Sequence, residues 1–325
     1  MTWDERIRAV RLLGFTDRQA NFIVVVTLHA GVCVRRQYET FAGLPHGRAI
    51  RDFFDRLVSE GYATARRCGH PRSRIFHFQH KGLYRAIGEE NNRYRRPTTV
   101  GRAIERLMLL DGVLGDRHLC WLATEAEKVA YFTCQHRIGH HDLPSLIFRG
   151  DSSETVRYFP DKLPIGLHDD GRTHVFAYLL TRDLPVDFRA FLERHAELWR
   201  LLPAWTLRLL VPRHKTDAVP AYERAFREQL ATPLRPSLVE DLRWYFRARS
   251  SAQREEADRF DQAVVAFGAP RFQTLYRAWR ERGEPVLDGT LSVSLADALA
   301  HGRGALESRI LPHDYGHFYG LVSTA

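Results

Sequence analysis

Arg48-Ala49-Ile50-Arg51-Asp52-Phe53-Phe54-Asp55-Arg56-Leu57-Val58-Ser59-Glu60-Gly61-Tyr62-Ala63-Thr64-Ala65-Arg66-Arg67 decides how the first third of this chain is read. Ile50, Phe53, Phe54, Leu57 and Val58 recur at three and four, which puts one apolar stripe along a helix from Arg48. Gly61 stops it, because glycine takes the backbone conformations that end a helix. Arg48, Arg51 and Arg56 are left to project off the stripe. Residues 62–67 then read as a short strand. Cys68-Gly69-His70-Pro71-Arg72-Ser73-Arg74 is a polar, basic tip, and Ile75-Phe76-His77-Phe78 returns with strand character.

Upstream, Thr16 caps a helix of about 13 residues ending near Gly31, with Phe22, Ile23, Val26 and Thr27 at helical spacing. A second helix fits 35–41 and closes at Gly43. Pro45-His46-Gly47 makes a tight turn before Arg48. Downstream, Lys81 opens a further helix. The order helix, helix, helix, strand, basic loop, strand is a helix-turn-helix with a β-wing. Such a unit meets duplex DNA through the leading turn of its third helix, here His46, Arg48 and Arg51. The hairpin tip, with Arg67, Arg72 and Arg74, is placed to follow the backbone or minor groove. Lys81 and Arg85 are candidates for holding phosphates.

Charge supports the same reading. Residues 1–100 carry 18 Lys+Arg against 9 Asp+Glu, whereas residues 101–325 carry 30 against 30. The net charge of +9 therefore belongs to one end. Seventeen of its 18 basic residues are arginine, whose planar fork matches phosphate oxygens and guanine edges. A basic head on a neutral body points to a nucleic-acid module on a separate platform.

The stretch 48–57, with Leu57-Val58-Ser59-Glu60-Gly61-Tyr62-Ala63 and the basic hairpin after it, resembles the recognition helix of bacterial winged-helix regulators. The resemblance covers about residues 16–90. It is specific for the fold and not for the ligand. The arginine cluster is what makes double-stranded DNA the expected partner. A cytoplasmic, nucleoid-associated protein is expected because no apolar signal core or membrane span is read. The connector Asn91-Asn92-Arg93-Tyr94-Arg95-Arg96-Pro97 reads as a boundary, and Thr99 caps a helix over 100–111. That helix suits either a dimer strut or a core, and a homodimer is expected.

The middle of the chain alternates short strands and helices. Tyr131-Phe132-Thr133-Cys134 has strand character, and so does 146–149. Residues 163–167 and 174–180 flank Asp170-Gly171, a strong hairpin signal. A helix over 187–200, a buried strand over 205–212 and a helix over 219–230 complete an α/β core with a mixed sheet. Phe159-Pro160-Asp161 resembles the first half of the PD-(D/E)xK nuclease signature, in which paired acids hold a divalent metal. The facing positions, Phe176, Ala177, Tyr178 and Leu179, supply neither the second acid nor the lysine. Asp161 is thus the one candidate catalytic residue, and a degenerate, noncatalytic copy is expected. The order over 16–230 resembles the replication-relaxation family of plasmid and conjugative-element proteins. That resemblance implies a DNA-binding accessory or regulatory protein of a mobile element.

The organisation expected is α+β: a winged-helix unit at 1–90, a linker and helix at 91–112, an α/β core at 113–232 and a helical region at 233–325. The function expected is sequence-specific DNA binding, in transcriptional regulation or in a mobile element. Two other readings compete: a metal-dependent DNA nuclease with a rearranged site around Asp161, and a protein-interaction adaptor. Cys120, Cys134, His136, His140 and His141 offer one close pair where zinc sites use two, so no metal is expected. No phosphate-binding glycine loop occurs, so no nucleotide cofactor is expected. His313-Asp314-Tyr315-Gly316-His317 has acid–base residue types but no nucleophile beside it. Arg243, Trp244, Tyr245, Arg247 and Arg249 have the composition of a single-strand stacking platform. No run reaches the length of a membrane span.

Overall fold

The computed structural model describes residues 1–68, 74–149, 154–251 and 256–318. Arg72 and the rest of the hairpin tip lie outside the described residues.

Helix α1, Trp3–Arg11, starts on a reciprocal cap between Thr2 and Glu5. Helix α2, Asp17–His29, starts on the same device between Thr16 and Gln19. A two-residue strand, β1 (Val32–Cys33), precedes α3 (Arg35–Ala42), and Gly43 closes α3 at φ 63°. Helix α4 is Arg48–Ser59, and β2 (Ala63–Arg67) and β3 (Arg74–Phe78) form the hairpin. Helix α5 is Lys81–Ala86. The three strands form an antiparallel sheet in the order β1-β3-β2. The apolar stripe of α4 is buried, with Phe53 4.5 Å from Tyr38 and Phe54 4.4 Å from Phe76, ring to ring. Burying such a ring stabilises by about 1.5–3 kcal/mol, which fixes which side of α4 faces out.

The connector packs rather than trailing through solvent. Tyr94 is buried, and its carbonyl oxygen lies 2.8 Å from His77 Nε2. Gly31 sits beneath it at φ +68°, where a Cβ would lie 2.7 Å from the Tyr94 carbonyl oxygen. Helix α6, Val100–Leu114, then runs through the middle of the molecule. Its apolar residues join one continuous core with α2, β3 and the body residues Ala177, Leu179 and Leu210. Gly112 lets it in this close, because a Cβ there would stand 2.5 Å from Leu210 Cδ1. The apolar face of this helix is taken up by the core.

The body is a mixed sheet with helices around it. Strand β4 (Cys120–Leu122) and helix α7 (Glu125–Ala130) come first. Residues 131–134, expected as a strand, instead continue α7 as a π-type turn, Tyr131–Gln135, with Tyr131 and Phe132 buried together. Among the described residues, strands β5 (Ser145–Arg149) and β6 (Glu154–Tyr158) pair only with each other. Strands β7 (Ile165–Leu167) and β8 (Thr173–Leu179) flank the Asp170-Gly171 turn. Helix α8 (Val186–Leu201) leads to β9 (Ala204–Val211), and Trp199 stacks on Trp205 at 4.8 Å. Helices α9 (Val219–Phe226), α10 (Pro236–Ser250), α11 (Ala257–Ala266), α12 (Pro270–Arg282), α13 (Pro285–Gly289) and α14 (Ser294–Ala300) follow.

The last described strand corrects the expectation for the C-terminal region. The pattern over 233–325 predicts helices throughout, yet β10 (Gly304–Ile310) runs parallel to β9 as the edge of the sheet. The order is β10-β9-β8-β7-β4, parallel from β10 to β8 and antiparallel beyond. The protein is therefore mixed α+β, with the C-terminal segment completing the central sheet. No helix among the described residues is long and apolar enough to cross a membrane.

Candidate nucleic-acid interface

Helix α4 begins at Gly47, which has no side chain to cap it. Its leading amide groups are therefore open, and helix N-termini attract anions. Arg48 stands at this end with its side chain 88% exposed, 3.6 Å from Asp52. A surface pair of that kind is weak and exchanges readily for another anion. Arg51, one turn on, is exposed and has no side-chain partner among the described residues. His46 is 67% exposed, with Nδ1 2.6 Å from Glu39 Oε1. Asp52 and Asp55 share the outer face, so it offers acceptors as well as donors. Arg56, which the stripe alone leaves projecting, turns back instead. It donates to the Gly14 carbonyl at 2.8 Å and covers the Phe15 ring.

At the root of the hairpin, Arg67 and Arg74 are direct cross-strand partners. Like charges opposite one another destabilise a strand pair. Neither has a carboxylate partner among the described residues, so the root of the hairpin carries an uncompensated like-charge repulsion. Arg74, Arg51 and His46 line one cleft of ≈ 630 Å³.

The other wall of this cleft is the C-terminal segment, through His313, Asp314 and His317. Nothing local in the sequence joins these residues to the head, from which they stand far apart along the chain. The link is a buried network. Asp111, 7% exposed, takes two bonds from Arg36 at 2.9 and 2.7 Å and one from Gln37 at 2.9 Å. The Tyr315 hydroxyl donates to the same carboxylate. Burial and the Asp111 carboxylate push the Tyr315 phenol far above its ordinary range. The His-Asp-Tyr-Gly-His run thus anchors the tail beside α3.

Lys81 and Arg85 do not join the cleft. Both close on Glu90, at 2.9 and 3.0 Å, and these bonds, Arg85 foremost, hold the Glu90 carboxyl down at about 2. Arg48 and Arg67 are exposed outside the cleft lining.

Asp161 is not placed to hold a metal. Arg194 grips it with two bonds, 2.5 and 3.3 Å, and the facing strand β8 presents buried Phe176, Ala177, Tyr178 and Leu179. The turn around it is strained: Phe159 and Lys162 sit at φ 47° and 58°. Among the described residues no group of three or more His, Cys, Asp or Glu is arranged for a metal ion. His136 and His174 share the Tyr131 hydroxyl, at 2.9 and 3.1 Å, and Cys120 and Cys134 stand outside that chain. Arg243 is held by Glu240, Glu284 and Asp288, and Tyr245 is buried, so the aromatic helix α10 offers no open stacking face at these residues. Comparison of the chain with family models, curated proteins and solved structures found no match.

Proposed function

We propose that this protein binds double-stranded DNA through residues 16–90 acting as a winged helix-turn-helix. The leading turn of α4 enters the major groove, and the β2–β3 hairpin lies on the backbone. The observation that carries the reading is the state of α4: an uncapped N-terminus, an 88% exposed Arg48 and an Arg51 with no side-chain partner among the described residues. The order of α2, β1, α3, α4, β2 and β3, with β3 central in its sheet, supports it. So does the Arg67–Arg74 pairing. Asp52 and Asp55, paired with Arg48 and Arg35, fit the same face because a carboxylate can accept from a cytosine amino group.

The role that follows is a transcriptional regulator or an accessory factor of a plasmid or conjugative element, working at the bacterial nucleoid. The replication-relaxation resemblance, which joins a winged helix to a degenerate nuclease-like core, belongs to this proposal. Two copies on a palindromic site are part of it too, with exposed Ile147, Phe148 and Val156 on the β5–β6 hairpin as available apolar surface.

The test is a mobility-shift series on the operator recovered with the protein from its host. Arg48→Ala or Arg51→Ala weakens specific binding by about 1–3 kcal/mol for each base the side chain no longer reaches. Arg74→Ala weakens specific and random duplexes alike. Unchanged shifts in all three variants would leave the adaptor reading in place instead.

A further inference from the structure

A second cleft, ≈ 570 Å³, shares no lining residue with the first. Its walls come from the connector after α5, from α7 and from the strained turn between β6 and β7. Five cations line it, Arg85, Arg93, Lys128, Arg157 and Lys162, and of these Arg85 is taken up by Glu90. Arg157 and Lys162 have no side-chain partner among the described residues, and Arg93 bonds only the Tyr94 hydroxyl, at 3.2 Å. Lys128 is 1% exposed. One of its three donors goes to the Leu163 carbonyl at 2.6 Å, and its ammonium lies 5.8 Å from the Phe159 ring centre.

The acids on the same walls are already engaged. Glu90 is held by Lys81 and Arg85, and Glu89 by Arg6 and Asn92. Glu125 accepts the Tyr158 amide at 2.8 Å. The cations feel one another: burial, then Arg93 and Arg157, push the Lys162 ammonium below its ordinary range. Burial pushes Lys128 down to about 7. The Pro160-Asp161 turn gains a purpose here. With Asp161 fixed by Arg194, the left-handed residues on either side of the pair, Phe159 and Lys162, become cleft wall.

We infer that this cleft binds a phosphate-bearing small molecule, its phosphates on Arg93, Arg157, Lys162 and Lys128. Cations that outnumber the carboxylates beside them, with those carboxylates engaged by other groups, are costly to keep together, and a multiply charged anion lowers that cost. The volume is that of a small-molecule pocket. The site is independent of the α4 surface, so either reading stands if the other falls.

The experiment is calorimetric titration of the full chain with inorganic pyrophosphate at fixed ionic strength, and in a second arm with adenosine diphosphate. Wild type binds pyrophosphate saturably. The Arg157→Ala/Lys162→Ala double variant loses roughly tenfold or more in affinity while keeping its melting temperature and its duplex mobility shift. Tighter binding of the nucleotide assigns the ligand to nucleotides, and equal binding assigns it to inorganic polyphosphate. Absence of saturable heat in wild type, or equal affinity in the double variant, overturns the inference. So does a double variant that loses duplex binding and keeps pyrophosphate, which makes the cleft part of the nucleic-acid surface.

Discussion

Arginine does two kinds of work in this molecule, and the exposed surface of the head differs from the packed sheet of the body in which kind it shows. Around the body's sheet, several guanidinium groups meet carboxylates, although Arg157 at the second cleft meets none among the described residues. Arg208 and Arg309 both reach Asp116 at 2.5 Å, Arg194 grips Asp161, and Arg189 meets Glu228 at 2.5 Å. In the head, Arg51, Arg67 and Arg74 have no carboxylate within reach among the described residues, and Arg48 has one weak exposed partner. A paired, half-buried arginine is a strut, and an unpaired one on a surface is free to meet an anion from outside. The head itself contains both kinds, since Arg6 and Arg36 are tied to Glu127 and Asp111. Charge counting finds the excess, and only the fold says which arginines constitute it.

The strongest way to break this contrast is at a strut. Asp111→Ala leaves Arg36 half-buried without its anion and frees the Tyr315 hydroxyl. Removing one partner of such a network costs about 3–5 kcal/mol, read as a fall in thermal or urea stability. A loss below about 1 kcal/mol would mean that the tail and α3 are not coupled through this carboxylate.

Next in size is a pH effect that both regions share. Burial holds His29 in the head and His195 in the body down at about 4, against an ordinary 6.5. Each is neutral when folded, so the unfolded chain binds more protons between those values. The stability is complete above pH 6.5 and is lost as pH falls through 4, by about 3 kcal/mol per histidine. Urea midpoints from pH 7 to 4 measure it. His29→Phe and His195→Phe should each remove about half of the slope, and an unaltered slope in either shows that histidine to be already solvated.

Smaller effects sharpen the surface side of the contrast. Arg51→Ala should cost about 1–3 kcal/mol on a specific site and much less on random duplex. Lys81→Ala and Arg85→Ala should change duplex affinity by less than about twofold, because both already pair with Glu90. A larger loss from these two than from Arg51→Ala would move the interface to α5.

Much of the head is readable because its signals are local. Thr16, Gly43 and the stripe from Ile50 to Leu57 act within a few residues of themselves, and α2, α3 and α4 begin and end where those signals lie. Helix α1 escapes such a reading because one of its two buried residues is Arg6, so its inner face does not read as apolar. Strand β10 escapes it because only Gly304 of this edge strand is buried, which leaves no buried apolar stripe to show. The run 131–134 misleads because aromatic and β-branched residues favour strands, yet here they pack as a wider turn of α7. The exposed arginines of α4 are visible in the sequence. The cleft wall from His313 to His317, and the full burial of Lys128, arise from contacts between distant segments and leave no local trace.

The most direct measurement is the salt dependence of duplex affinity, by fluorescence anisotropy, for wild type and for the Arg48→Ala/Arg51→Ala/Arg67→Ala/Arg74→Ala variant. The account predicts a steep wild-type slope of log K on log salt, shallower in the variant by about 2–3 units, because each phosphate contact contributes about 0.9. Identical slopes would contradict it, since the duplex would then be meeting some other face of the protein or none.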